Sequence, residues 1–184
     1  MKTNTNTVKI HLLSALMLIS MLSVNAQQNW DIKMEEKSLE TIEKFKEKNW
    51  EMKSIFENSY GYAVFPSIGK GGIVIGGAHG KGILYENGKP IGDAKMTQVS
   101  IGFQWGGQSY SEVIFFEDEE AMELFKTNRL QLAAQASAIV VTAGISKDVP
   151  YNNGVAIYTL PRAGLMYEAT VGGQKFKYLE KESD

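Results

Sequence analysis

From residue 31 to 58 the chain has no Gly and no Pro, and Leu39, Ile42, Phe45, Met52 and Phe56 recur at spacings of three, four and seven. That period predicts one amphipathic helix, and Glu40–Lys44 adds a favourable i,i+4 pair on it. Its polar face mixes eight acids with six lysines, the composition of a solvated helix packed on a domain rather than of a cationic membrane helix. After Tyr60 the period changes to that of short β runs separated by glycine. Predicted strands are Tyr62–Phe65, Ile73–Ile75, Gly82–Glu86, Gln98–Gln104, Glu112–Phe116, Gly154–Leu160, Leu165–Val171 and Lys175–Leu179. Glu86-Asn87-Gly88-Lys89 predicts a hairpin, because Asn-Gly accepts positive φ cheaply. Glu117-Asp118-Glu119-Glu120 ahead of Ala121, Met122, Leu124 and Phe125 predicts a helix over 118–129, with acids at its positive end. The stretch 130–144 is Ala-rich like a helix, but Ala138-Ile139-Val140-Val141-Thr142 favours a strand. Ser146 to Asn153, containing Pro150, is expected to be a loop.

The segment ahead of the first helix changes the domain picture. Lys2 and Lys9 precede the apolar run Ile10–Leu22, and Val24-Asn25-Ala26 supplies small residues at a cleavage site. Residues 1–26 are expected to be a secretory signal peptide cut near Ala26-Gln27, since a run of about 13 residues is short of the about 20 that span a bilayer. The mature chain would then be a helical segment, 27–58, joined to a β-rich domain, 59–184, exported to the periplasm or secreted. It has no cysteine, hence no disulfide, no thiolate nucleophile, no Cys-based zinc site and no lipoprotein anchor.

Thirteen of the 18 glycines fall between Gly61 and Gly107. They do not form a phosphate loop: Gly80-Lys81 has Ile75 where the first Gly of GxxxxGK[ST] belongs, Gly69-Lys70 has Val64 there, and no GxGxxG occurs. They are read instead as hairpin and bend positions of a curved β structure. Ser67-Ile68-Gly69-Lys70 matches the SxxK of penicillin-binding enzymes, but Pro66, Gly69, Gly71 and Gly72 oppose the helix that motif needs. His79 is the one histidine after the leader, and no GxSxG elbow accompanies it. No catalytic residue, cofactor or metal site is therefore expected. The formal net charge of −2 argues against nucleic acid as a partner. Charge is nonetheless uneven. Between Tyr60 and Tyr110 there are four lysines (70, 81, 89 and 95) against Glu86 and Asp93, whereas Ser111 to Glu123 holds six acids and no base. Lysines among glycines, where backbone N–H groups can approach closely, suit an anionic ligand.

Gly61-Tyr62-Ala63-Val64-Phe65 is similar to Gly154-Val155-Ala156-Ile157-Tyr158, and Lys70-Gly71-Gly72 to Arg162-Ala163-Gly164. A repeat of this kind would give Lys70 and Arg162 equivalent places. Phe56 to Leu179 as a whole resembles the SYLF domain. The matching elements are Tyr60-Gly61-Tyr62-Ala63-Val64-Phe65-Pro66, Lys70-Gly71-Gly72 and Gly76-Gly77-Ala78-His79-Gly80-Lys81-Gly82. They continue with Ile101-Gly102-Phe103-Gln104-Trp105-Gly106-Gly107-Gln108, Ala121-Met122-Glu123-Leu124-Phe125 and Gly164-Leu165-Met166-Tyr167. The resemblance implies lipid or membrane-surface binding without catalysis. Phosphoinositides and actin are associated with eukaryotic members, and actin is not an expected partner of an exported protein.

The expected fold is α+β: a curved antiparallel sheet or barrel of short Gly-rich strands, with the N-terminal and mid-chain helices packed on it. The expected function is non-enzymatic binding of anionic lipid or a membrane surface in the bacterial cell envelope. Lys70, Lys81, His79 and Arg162 are the candidate lipid-binding residues. The alternative is a structural or protein-interaction module of the envelope without a lipid ligand. The oligomeric state is left open.

Overall fold

The computed structural model describes residues 32–71, 75–101, 108–130, 132, 137–140, 151–163, 169–170 and 173–181. The expected signal peptide, the loop from Ser146 to Pro150, and most of 130–144 and of Leu165–Val171 lie outside the described residues. Among the described residues there are three helices: α1 (32–48), α2 (Glu51–Asn58) and α3 (Glu119–Lys126). Eight strands accompany them: β1 (Gly61–Gly71), β2 (Ile75–Glu86), β3 (Lys89–Ile101), β4 (Gln108–Phe116), β5 (Ser137–Val140), β6 (Val155–Ala163), β7 (Ala169–Thr170) and β8 (Gln174–Glu180). The order is β7-β5-β6-β4-β1-β2-β3-β8. From β6 to β8 every pairing is antiparallel. β5 joins β6 in parallel, and β7 pairs with β5 antiparallel. The fold is α+β with a curved, unclosed sheet, not a closed barrel. Lys37–Asp184 form one compact unit, which holds the whole sheet.

The helix expected over 31–58 is interrupted at Asn49–Trp50. The Asn49 side-chain oxygen accepts the Glu51 amide at 2.8 Å and its carbonyl accepts the Met52 amide at 3.1 Å. Asn thus acts as a local cap, the role its short amide favours over a helix interior. Ile42, Phe45, Met52 and Phe56 of the predicted stripe are buried, but Leu39 is half exposed and Ser38 and Thr41 are buried instead. α3 starts as expected: Asp118 accepts the Ala121 amide at 2.9 Å as its N-cap. It is shorter than predicted, because Asn128 turns to positive φ and its side chain accepts the Tyr178 amide of β8 at 2.8 Å. The Asn87-Gly88 hairpin forms with φ of 49° and 75°, and Ser137–Val140 is a strand, as expected from 130–144.

The strands are longer than the short glycine-bounded runs expected from sequence: β1, β2 and β3 span 11, 12 and 13 residues. Glycine does not break them, because several glycines lie within strands where the sheet needs room. A Cβ on Gly82 would overlap the Val64 carbonyl oxygen and meet the Phe65 ring at 2.9 Å. The inner side of β2 is thus nearly bare, and Phe65 and Ile68 of β1 occupy the freed space. Proline does not end β1 either. Pro66 sits at a register shift of β1 against both neighbours, and Pro161 at a shift of β6 against β4. A bulge is the one place a central strand tolerates a residue without N–H. The Pro66 carbonyl is taken up by the Ser111 hydroxyl and by Arg162 Nη1, each at 2.8 Å.

Both faces of the sheet are packed. On the inner face Ala63, Phe65, Leu84, Ala94, Met96, Ile114, Phe116, Ile157 and Phe176 form a core with Ala121, Met122 and Phe125 of α3. Curvature brings distant strands together there: the Phe65 and Phe176 rings, on β1 and β8, are 6.1 Å apart. On the outer face Tyr85, Tyr62, Phe115 and Tyr158 make an aromatic row across β2, β1, β4 and β6. Phe56 of α2 sits edge-on to Tyr62 and Phe115, at 5.0 and 4.8 Å. Edge-to-face contact adds to area burial because the ring quadrupoles are complementary.

Candidate functional site

The outer face changes character partway along β2. Ile83 and Tyr85 are buried, whereas Gly77, His79 and Lys81, two residues apart on the same face, are exposed. Side chains alternate along a strand, so the register places like positions in rows across the sheet. One row runs Ser67, Lys81, Lys95 and Lys177 on β1, β2, β3 and β8. The next runs Gly69, His79, Thr97 and Lys175. All of these side chains are solvent-exposed. Three lysines therefore stand directly opposite one another on three adjacent strands, with a fourth and a histidine one row away. Cβ atoms of such pairs are about 5 Å apart. Asp93, half-buried and two residues from Lys95, is the acid on the same face of β3.

The four sequence candidates separate in space. His79 and Lys81 both belong to this patch. Lys70 pairs with Ala78 of β2 and Gln108 of β4, out of the row that holds Lys81. Arg162, on β6, reaches over β4 to the Pro66 carbonyl. It also contributes to holding the Glu40 carboxyl of α1 below the usual carboxylate range, behind the larger effects of the Lys44 hydrogen bond and charge. Arg162 thus sits where the helical cover meets the sheet. β1 and β6, the two halves of the suspected repeat, do flank β4 in the same direction. The register aligns Gly61 with Val155 through Phe116, one residue off the sequence alignment, and Lys70 and Arg162 are held apart by β4. Lys95, Lys175 and Lys177 were missed as site residues. Their signal was the alternation Lys175-Phe176-Lys177 in a predicted strand, which marks one face as cationic, but the strand order that aligns it with Lys81 was not legible.

Ser67 and Lys70 both lie within β1, so the helical turn that SxxK chemistry requires is not formed. Among the described residues no group of three His, Asp or Glu side chains converges as a metal site. No helix of the described residues is long and apolar enough to cross a membrane.

Fold and face together define a small α+β module built on a curved antiparallel sheet, with one half of its outer face helix-covered and the other half basic. Residues 97–182 match the Ysc84 family, described as Las17-binding protein actin regulator. The chain is also similar to beta cell expansion factor A of Aeromonas veronii, at 29% identity over 132 residues, covering 71% of this chain and 49% of that protein. It spans about half the length of this curated relative. The family match covers residue 97 onward of the stretch Phe56–Leu179, whose residues resemble the SYLF domain. The matched segment contains Arg162, Lys175 and Lys177, and starts two residues after Lys95.

Proposed function

We propose that this protein is a non-enzymatic binder of anionic lipid headgroups in the bacterial cell envelope, acting after export through the lysine-bearing half of its outer sheet face. SYLF domains are associated with lipid or actin binding, and the family description names actin regulation. An exported chain would meet lipid rather than actin. The observation that carries the reading is the cross-strand row Lys81–Lys95–Lys177, flanked by Lys175 and His79. The strand register holds these cations side by side on one face, so that an anionic surface can meet several charges at once. A lysine near such a surface contributes about 1 kcal/mol, and the attraction fades beyond a Debye length of about 8–10 Å. Arg162 is left out of this set, because its guanidinium is engaged with Pro66.

Sedimentation of the mature protein with vesicles of neutral phosphatidylcholine, alone or mixed with phosphatidylglycerol, tests the reading. Binding should require the anionic lipid and weaken with salt. The K81E/K95E/K177E variant should bind at least roughly 100-fold more weakly, from about 1 kcal/mol per lysine. Equal binding by a variant with native circular dichroism would refute the site. A second reading, a protein-interaction module, rests on Trp50, which is 71% exposed at the α1–α2 junction. Salt-insensitive capture of an envelope protein that W50A abolishes, without vesicle binding, would favour it.

A further inference from the structure

At the end of the inner face away from α3 the core turns polar. Glu112 of β4 is 0% exposed, and Thr159 of β6 stands directly opposite it. Gln174 of β8, also buried, donates from Nε2 to Glu112 Oε2 at 3.1 Å. This bond is not between neighbouring strands: β1, β2 and β3 lie between β4 and β8 in the sheet. It closes the interior by tying the edge strand β8 back to β4. Glu112 Oε1, Thr159 Oγ1, Gln174 Oε1 and the Tyr110 hydroxyl have no hydrogen-bond partner. Gln174 Oε1 and an ionised Glu112 Oε1 can only accept, while the two hydroxyls can also donate but bond to neither. These atoms expose essentially no surface, which favours an occupant as small as a proton.

We propose that Glu112 is an interior proton-binding site, and that its ionisation places a buried charge that loosens the packing between β4 and β8. Protonated, the carboxyl carries no charge into the core while Oε2 keeps the Gln174 amide. Ionised, it leaves a charge in the core beside a single amide donor, which is costly without a cationic partner. Among the described residues no such partner faces it: Phe65 adjoins from β1, Thr159 from β6, Gln174 from β8 and Ile114 along β4. Among the described residues the titratable neighbour is Tyr110, whose phenol is itself pushed up, by burial first and by Glu112 second; it feels Gln174 without closing a hydrogen bond to it. Burial raises the Glu112 carboxyl to about 7 from an ordinary 4.5, and the Gln174 bond lowers it only in part.

The sign follows from linkage. A carboxyl whose folded pKa is raised gives stability that is fully present below about 4.5 and lost as pH rises through about 7. The difference, 7 minus 4.5, corresponds to a change of roughly 300-fold in the folding equilibrium constant. Urea unfolding of wild type and E112Q from pH 4 to pH 8 isolates it, because the amide mimics the protonated carboxyl and other acids cancel in the comparison. The wild-type constant should fall on the order of 100-fold more than that of E112Q. Parallel curves would overturn the proposal. Q174L removes the donor that favours the ionised form, so it should move the wild-type midpoint to higher pH; a loss of stability equal at every pH would count against a proton site. Should E112Q not fold, carboxyl-13C NMR of the wild type decides: one glutamate must titrate near neutrality, and titration of every glutamate below about pH 5 overturns the assignment. Hydrogen exchange tests the loosening. Protection at Lys175–Leu179 should drop before protection in β1 as the pH is raised, whereas simultaneous loss would refute local release of β8.

Discussion

The Pro66 bulge offers the sharpest test of how the sheet is held together. Its carbonyl belongs to a central strand and accepts from Ser111 Oγ and Arg162 Nη1, each at 2.8 Å. The first donor is buried and the second reaches in from an exposed position. Either S111A or R162A leaves the carbonyl one partner, so each should cost about 0.5–1.5 kcal/mol, the net worth of one hydrogen bond. The double variant leaves it with neither. An unpaired buried acceptor costs about 1–3 kcal/mol in desolvation, so the double change should exceed the sum of the singles by about 1 kcal/mol or more. Urea denaturation of the four proteins, analysed with a common slope, reads this coupling directly. Additivity within about 0.5 kcal/mol would mean that water replaces the donors and that the two contacts do not act as a pair. The same proteins separate structure from binding. R162A should be less stable yet bind anionic vesicles like wild type; a binding loss in a folded R162A would return Arg162 to the ligand set.

Two further changes probe the packing. G82A drives a methyl group into the Val64 carbonyl and the Phe65 ring, so thermal unfolding should show a loss of at least about 1–3 kcal/mol; an unchanged midpoint would show that β1 and β2 can separate freely at this point. D118A removes the cap that accepts the Ala121 amide and should cost about 1 kcal/mol, with D118N nearly neutral. Equal losses in the two would attribute the effect to charge rather than to the cap.

Local signals in the sequence survive in the structure. Asn87-Gly88 made its hairpin, Asp118 capped α3, and the β pattern from Tyr60 onward became a curved sheet. What misled was punctuation. Glycines were read as bends because the sequence shows no partner strand; only the packed sheet reveals that Gly82 makes room for Phe65. The predicted strand Tyr62–Phe65 stops short of Pro66, because a bulge there needs donors from elsewhere, and these come from Ser111 and Arg162, 45 and 96 residues away. Asn49 was absorbed into a helix because apolar spacing continues across it. The candidate site was half legible for the same reason. Lys81 and His79 came from composition, but a cross-strand row is a property of register, which no single segment encodes.

Register also decides between two accounts of the lysines. Edge strands often carry lysine to repel unwanted pairing, and β8 ends the sheet order, so Lys175 and Lys177 suit that purpose. The account stops at the edge. β3 is paired on both sides, by β2 and β8, and β2 by β1 and β3, so neither Lys95 nor Lys81 has an open strand edge to guard. Like charges directly opposite one another cost roughly 0.2–1 kcal/mol per pair. A row that extends two strands inward from the edge is therefore not accounted for by edge protection alone. Charge reversal discriminates: K95E and K177E should each stabilise the isolated fold slightly while weakening vesicle binding. If instead they destabilise it and leave binding intact, the lysines serve the sheet and the anionic-surface reading fails.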